Sequence, residues 1–335
     1  MYYHKIFFFL ILILGSLISI SSNSWMGMWM GLEINLLAFI PLIQEKNNSY
    51  SSESSLKYFL TQALASTILL CTLIFMAKTF LIMKNIENSI LIILNSSLLT
   101  KLGMAPFHFW FPEVIEGLNW LNCFILLSWQ KITPMILIMY NLNFQYFLIM
   151  IVIWSMLISG ISGFNQTSLR KILAYSSINH MAWMICAMFF SETIWLYYFS
   201  IYSIFSFNII FMFKKLNIFF LNQIFISMNK NMMLKFIFSF NFLSLGGLPP
   251  FMGFMPKWLV IQYLVMNWVL IALIMVMITL LTLFFYFRII FNIFILSNNE
   301  INYFHNTQFN FLLFIYFNLF TLMSLILFTL SFNFS

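Results

Sequence analysis

Four ionisable side chains stand inside long apolar runs of this sequence: Glu33, Lys101, Lys131 and Lys257. A charge at the centre of a bilayer costs about 2.5–3.5 kcal/mol on insertion scales, so such groups face a bundle interior, pair or meet water, and mark ion paths. Desolvation and a nearby carboxylate pull a lysine's proton affinity in opposite directions. A buried lysine can therefore be set to take up and give up a proton near neutral pH. Three of the four groups are lysines, so the chemistry they suit is proton transfer along one polar track at mid-membrane depth. A structural ion pair such as Glu33–Lys101 would account for one pair and leave two lysines over. His108 and His180 lie in or beside apolar runs too. Each suits either a proton relay or a satisfied polar contact, and two isolated histidines do not make a haem site.

Other chemistries find no residues. Cys71, Cys123 and Cys186 lie in separate apolar runs without a C-x-x-C or a metal-ligand spacing. No Gly-rich phosphate loop, nucleotide fingerprint or Ser/His/Asp arrangement is present, so no cofactor or metal site is expected on this chain. Glu113 and Glu116 read as solvated loop charges, and Thr167 or Ser168 as the cap of a following helix.

The elements that must position the four charges are membrane helices. Of the 335 residues 63% are hydrophobic and 7% charged, and the mean hydropathy is +0.98. Soluble proteins carry about 25% charged residues, so lipid replaces water as the main solvent. A formal net charge of +7 suggests nucleic acid in a soluble protein. Here the basic residues are scattered between apolar runs, which excludes that partner and leaves lipid. Continuous apolarity over helical lengths favours helices over barrel strands. Runs at about 6–21, 25–43, 57–77, 89–110, 119–140, 146–163, 171–190, 193–213, 236–265, 268–293 and 309–332 predict an all-α, polytopic bundle of about eleven helices. The segment 236–265 reads as one interrupted helix or two short ones. Residues 1–20 read as a retained first helix, since no small-x-small cleavage site follows.

Charge then orients the bundle. One side carries Lys5, Lys46, Lys57, Arg170, Lys171, Lys214, Lys215, Lys230, Lys235 and Arg288, and the other only Lys78 and Lys84. The positive-inside rule places the N-terminus on the side of synthesis and, with an odd number of crossings, the C-terminus opposite. Two similar interruptions recur. Gly103 and Pro106 fall in the fourth run, and Gly246, Gly247, Pro249 and Pro250 in the ninth. The two runs are five helices apart, an odd number, so the copies lie in the membrane with opposite orientation. Paired Gly/Pro-broken helices in inverted repeats point to a transport site. The expected layout is a single membrane domain, 1–335, with repeats at about 6–140 and 146–293 and a final helix. Proline lacks an N–H, so Pro106, Pro249 and Pro250 free the carbonyls of Leu102, Leu245 and Gly246. Water beside Lys101 or Lys257, or nearby Ser and Thr side chains, would have to satisfy them.

Taken together the motifs Gly31–Asn35, Lys57–Gln62, Lys101–Trp110, Trp129–Lys131, Asn165–Lys171 and Leu245–Pro250 resemble the chain 2 family of animal mitochondrial NADH–ubiquinone oxidoreductase, respiratory complex I. The resemblance runs in order from about residue 15 to residue 295. It implies an antiporter-like fold of two inverted five-helix repeats, each with a broken helix. It makes Glu33 and Lys101 the pair of the first half-channel, Lys131 the connecting lysine and Lys257 the lysine of the second broken helix. It implies an inner-membrane location with the N-terminus in the matrix and the C-terminus in the intermembrane space. The partners would be other membrane-arm subunits, and NADH, FMN, iron–sulfur clusters and ubiquinone would be handled elsewhere in the assembly. A stand-alone cation/proton antiporter shares this architecture and is the alternative.

Overall fold

The computed structural model describes residues 2–45, 48–79, 84–228, 232–295 and Asn318. Lys46, Lys230 and, apart from Asn318, the expected final helix at 309–332 lie outside the described residues. Among the described residues, every regular element is a helix. The chain divides into two compact units, Met1–Ser155 and Met156–Ser335.

The first unit holds α1 (Tyr2–Ser21), α2 (Trp25–Ile43), α3 (Ser49–Thr79), α4 (Lys84–Leu102), α5 (Trp110–Gly117), α6 (Trp120–Leu127) and α7 (Trp129–Met139), and α8 (Gln145–Phe164) carries the boundary. Helix α2 starts at Ser24, whose hydroxyl accepts the Gly27 N–H at 3.2 Å. Helices α1 and α2 meet along small residues: Ser16 and Ser19 are buried, and a methyl group added at Gly31 would sit 2.6 Å from the Ser19 nitrogen. Such seams let helices approach closely where lipid supplies no hydrophobic drive between them. The run expected as one helix at 119–140 is kinked. Ser128 separates α6 from α7, and its N–H and hydroxyl both donate to the Phe124 carbonyl, at 2.9 and 2.7 Å. Pro134, inside α7, cannot donate to the Gln130 carbonyl, and the Lys131 N–H turns back to the Ser128 carbonyl at 3.2 Å, so the helix is irregular around Lys131.

The second unit is built round α9 (Leu169–Met188), whose side chains are buried on every face from Ser176 to Met188. It packs against α10 (Glu192–Leu216), α13 (Phe254–Asn267) and α14 (Val269–Ile295). Helix α12 (Met232–Gly246) packs against α10 and α14, and the short α11 (Leu221–Met228) against α14. One end of this unit is tied by polar contacts. Ser168 and Phe220 form an isolated antiparallel bridge, and Arg288 donates to the carbonyls of Phe164 and Gln166 at 2.6 and 2.7 Å. Ser168 is the N-cap residue of α9, but its side chain makes no capping bond; the bridge orders the backbone there instead.

Among the described residues, seven helices are long and apolar enough to cross a membrane. Their outward faces keep side chains such as Leu10, Leu37, Leu64, Met150, Leu270 and Leu280 exposed, the composition of a lipid- or subunit-facing surface.

Candidate functional site

Lys101, Lys131 and Lys257 are 8%, 2% and 6% exposed, and each sits beside an irregularity in its own helix. Lys101 lies in the last turn of α4. That helix ends where Gly103 adopts φ +72°. The Met104 N–H donates to the Leu99 carbonyl at 3.2 Å and the Gly103 N–H to the Thr100 carbonyl at 3.1 Å, the two bonds of a Schellman cap. The second break repeats the first. Gly247 has φ +79°, the Leu248 N–H donates to the Leu243 carbonyl at 3.3 Å, and the Gly247 N–H reaches the Ser244 carbonyl at 3.0 Å. The sequence places the breaks at Gly103–Pro106 and Gly246–Pro250; in the structure Gly103 and Gly247 stop the helices, and the prolines follow in loops. The terminal carbonyls also find specific partners. Gln62 of α3 donates to the Lys101 carbonyl at 3.3 Å and the Trp110 indole to that of Thr100 at 3.1 Å.

In the first unit two of the lysines share a cavity. It measures about 20 Å³ and is lined by Lys101, Lys131, Asn35, Tyr58, Gln62 and Gln130 together with apolar side chains. A polar cavity of roughly 10–15 Å³ already holds a water. Lys131 rises from the first turn of α7, just past the Ser128 kink, with its ammonium 5.6 Å from the centre of the Phe111 ring. Gln130 donates to the Asn35 side-chain oxygen at 2.9 Å, joining α7 to α2. Ammonium groups, amides and a phenol around a water-sized space form the kind of arrangement that passes protons by hydrogen-bond exchange.

Glu33 stands differently. It is half-buried on α2 and does not line the cavity. It makes no direct ion pair with Lys101, whereas Lys5–Glu45, Lys57–Glu53 and Lys57–Glu113 are paired. Glu113 is thus no loop charge: it sits in the first turn of α5, 2.8 Å from the Lys57 ammonium.

In the second unit Lys257 occupies the first turns of α13, and its ammonium donates to the Gly246 carbonyl at 2.8 Å. The carbonyl at the α12 terminus is therefore met by the lysine itself. The Trp183 ring of α9 lies 5.9 Å from the ammonium. His180, one turn earlier on α9, has its Nδ1 3.0 Å from the Tyr198 hydroxyl. It lines a small cavity of about 10 Å³ with Tyr198, Tyr202, Ser244 and Pro256. His108 is turned into its own loop, with Nδ1 3.3 Å from the Pro106 carbonyl and its ring 4.4 Å from that of Phe109.

A search for charges alone passes over Asn35, Gln62, Gln130, Tyr58 and Tyr198. Amides inside apolar helices are the signal that finds Asn35, Gln62 and Gln130. It also misplaces Lys235, which belongs to α12 and is buried, not set in a loop.

The family described as "NADH:quinone oxidoreductase/Mrp antiporter, TM" matches residues 22–284. NADH-ubiquinone oxidoreductase chain 2 of Anopheles gambiae is 53% identical over 90% of this chain and 89% of its own. The mouse protein of that name is 40% identical over 88% of both. Among solved structures, respiratory complex I from Thermus thermophilus with bound aureothin contains a chain with the same fold. That match has a TM-score of 0.85 and 21% identity, over 96% of this chain and 77% of that one. A chain of the Mrp complex from Dietzia sp. matches with a TM-score of 0.73 and 16% identity, over 86% and 60%. The chain belongs to the NADH:quinone oxidoreductase/Mrp antiporter family of membrane proteins, in its NADH–ubiquinone oxidoreductase chain 2 branch.

Proposed function

We propose that this chain is a proton-translocating membrane-arm subunit of NADH–ubiquinone oxidoreductase in the mitochondrial inner membrane, with Lys101, Lys131 and Lys257 as its proton-carrying groups. The observation that carries the reading is the cavity of about 20 Å³ with Lys101 and Lys131 in its wall. Two ammonium groups beside one water-sized space repel each other unless one has given up its proton, so proton occupancy at one lysine influences the other. Glu33 acts from outside the cavity: its approach holds the proton on Lys101 and its withdrawal frees it. Lys257 is the loading group of the second unit, resting on the Gly246 carbonyl, and His180 with Tyr198 is a relay candidate beside it. His108, engaged by its own loop, has the weaker claim. The chain folds as two inverted repeats in eleven crossings, with the N-terminus in the matrix. NADH, FMN, iron–sulfur and ubiquinone chemistry takes place on partner subunits.

A stand-alone antiporter is separated from this reading by one experiment. Inner-membrane vesicles with the intermembrane face outward are treated with protease and then solubilised for native electrophoresis. The chain is expected in the band that oxidises NADH, with its N-terminal epitope protected. Migration as a separate small particle would establish the antiporter reading, and a cleaved N-terminal epitope would reverse the orientation.

A further inference from the structure

We propose that Gly247 is the positioning residue of Lys257: the space left by its missing side chain is where the lysine stem and ammonium lie. The two residues are ten positions apart, and the break folds one onto the other. A Cβ built on Gly247 would stand 2.8 Å from Lys257 Cδ, 3.0 Å from Nζ and 3.1 Å from Cε. Real Cβ atoms essentially never come within 3.0 Å of a neighbour, so the Cδ contact forces the lysine stem to move, and Nζ and Cε must give by a few tenths of an ångström with it. A side chain at 247 therefore displaces the stem that holds the ammonium 2.8 Å from the Gly246 carbonyl, and loss of that bond is the expected outcome.

Gly247 is thus doing two things. Its φ of +79° closes the Schellman cap of α12, and its bare α-carbon seats the cation over the end of that helix. The C-terminus of a helix carries partial negative charge, so a cation there is favourably placed. Gly103 offers the contrast. It has the same left-handed backbone, at φ +72°, but the nearest atoms to a Cβ there would all belong to Phe111, from 2.9 Å. Backbone geometry is shared by the two breaks; direct seating of the cation belongs to the second. The functional consequence rests on the proposed role of Lys257 as a proton carrier. The positional consequence does not.

The test uses the assembled complex carrying Gly247→Ala, Gly247→Asn or Gly103→Ala. Asparagine tolerates the left-handed conformation better than alanine and so relieves strain, but it keeps the Cβ. In maps of both Gly247 variants the Lys257 ammonium is expected to have left the Gly246 carbonyl, and in Gly103→Ala to remain on it. Protons pumped per electron should fall in both Gly247 variants. An ammonium still bonded to Gly246 in Gly247→Ala would overturn the inference, as would recovery of pumping by asparagine, since backbone strain would then be the whole effect. If neither Gly247 variant assembles, the double variant Gly247→Asn/Lys257→Ala removes the stem that clashes while asparagine eases the backbone strain. Restored assembly supports the seating, and continued failure contradicts it. Normal pumping in Lys257→Met would refute the carrier role while the maps still decide the positioning.

Discussion

Lys101→Met is expected to leave the complex assembled and to cut protons pumped per electron several-fold, with turnover falling alongside. Methionine has nearly the length of lysine and is apolar. The side chain it replaces is buried and makes no direct ion pair, so an apolar group of similar length removes a desolvated charge without stranding a contacting partner. Folding therefore has no reason to suffer. The cavity does: of its two ammonium groups only Lys131 remains to exchange a proton with the water-sized space. Gln62 and Trp110 hold the end of α4 through the backbone carbonyls of Lys101 and Thr100, so the cap survives the substitution. Glu33 is half-buried and makes no direct ion pair with Lys101, so the substitution breaks no salt bridge on α2. Pumping and NADH-driven quinone reduction in reconstituted particles measure this. Unchanged pumping in fully assembled particles would make Lys101 a structural residue.

Gly253→Ala is expected to have the opposite signature: little assembled complex at all. Gly253 precedes α13, and a Cβ there would lie 1.7 Å from the Ser244 carbonyl oxygen and 2.6 Å from its carbon. Both are backbone atoms of α12, so no side chain can swing aside. Overpacking a core typically costs about 1–3 kcal/mol when side chains can yield, and here the two halves of the broken helix would have to part. Gly246→Ala is the comparison. Its Cβ would meet Tyr286 at 3.6 Å, an ordinary contact, and alanine exceeds glycine in helix propensity by about 1 kcal/mol. The amount of the chain in native-gel complex should be near normal for Gly246→Ala and strongly reduced for Gly253→Ala. Equal amounts would mean that the packing of the break is looser than the structure has it.

Much of the architecture was readable from sequence because lipid imposes simple rules. The second helix was expected at 25–43 and is Trp25–Ile43, bounded by polar residues that leave no choice of register. Burial cost singled out Lys101, Lys131 and Lys257 with no knowledge of their neighbours. What escaped was decided by tertiary contact or by short range. The Ser128 kink is a one-residue event within a run that is apolar on both sides. Helix α11 is eight residues long, too short for any reading based on spanning length. Lys235 was assigned to a loop because the apolar run was taken to start one residue later. The cavity amides Asn35, Gln62 and Gln130 carry no charge and so pay too little to stand out. The seating of Lys257 against Gly247 joins two ends of a broken helix, and the spacing of ten residues says nothing until the break is folded.

The most direct test of the account is a map of the whole assembly at a resolution that shows water. Ordered water is expected in the cavity between Lys101 and Lys131, within hydrogen-bond distance of at least one ammonium and of Gln62 or Gln130. A dry cavity closed by side chains, with neither ammonium reaching solvent or the other's partners, would contradict proton transfer between the two lysines.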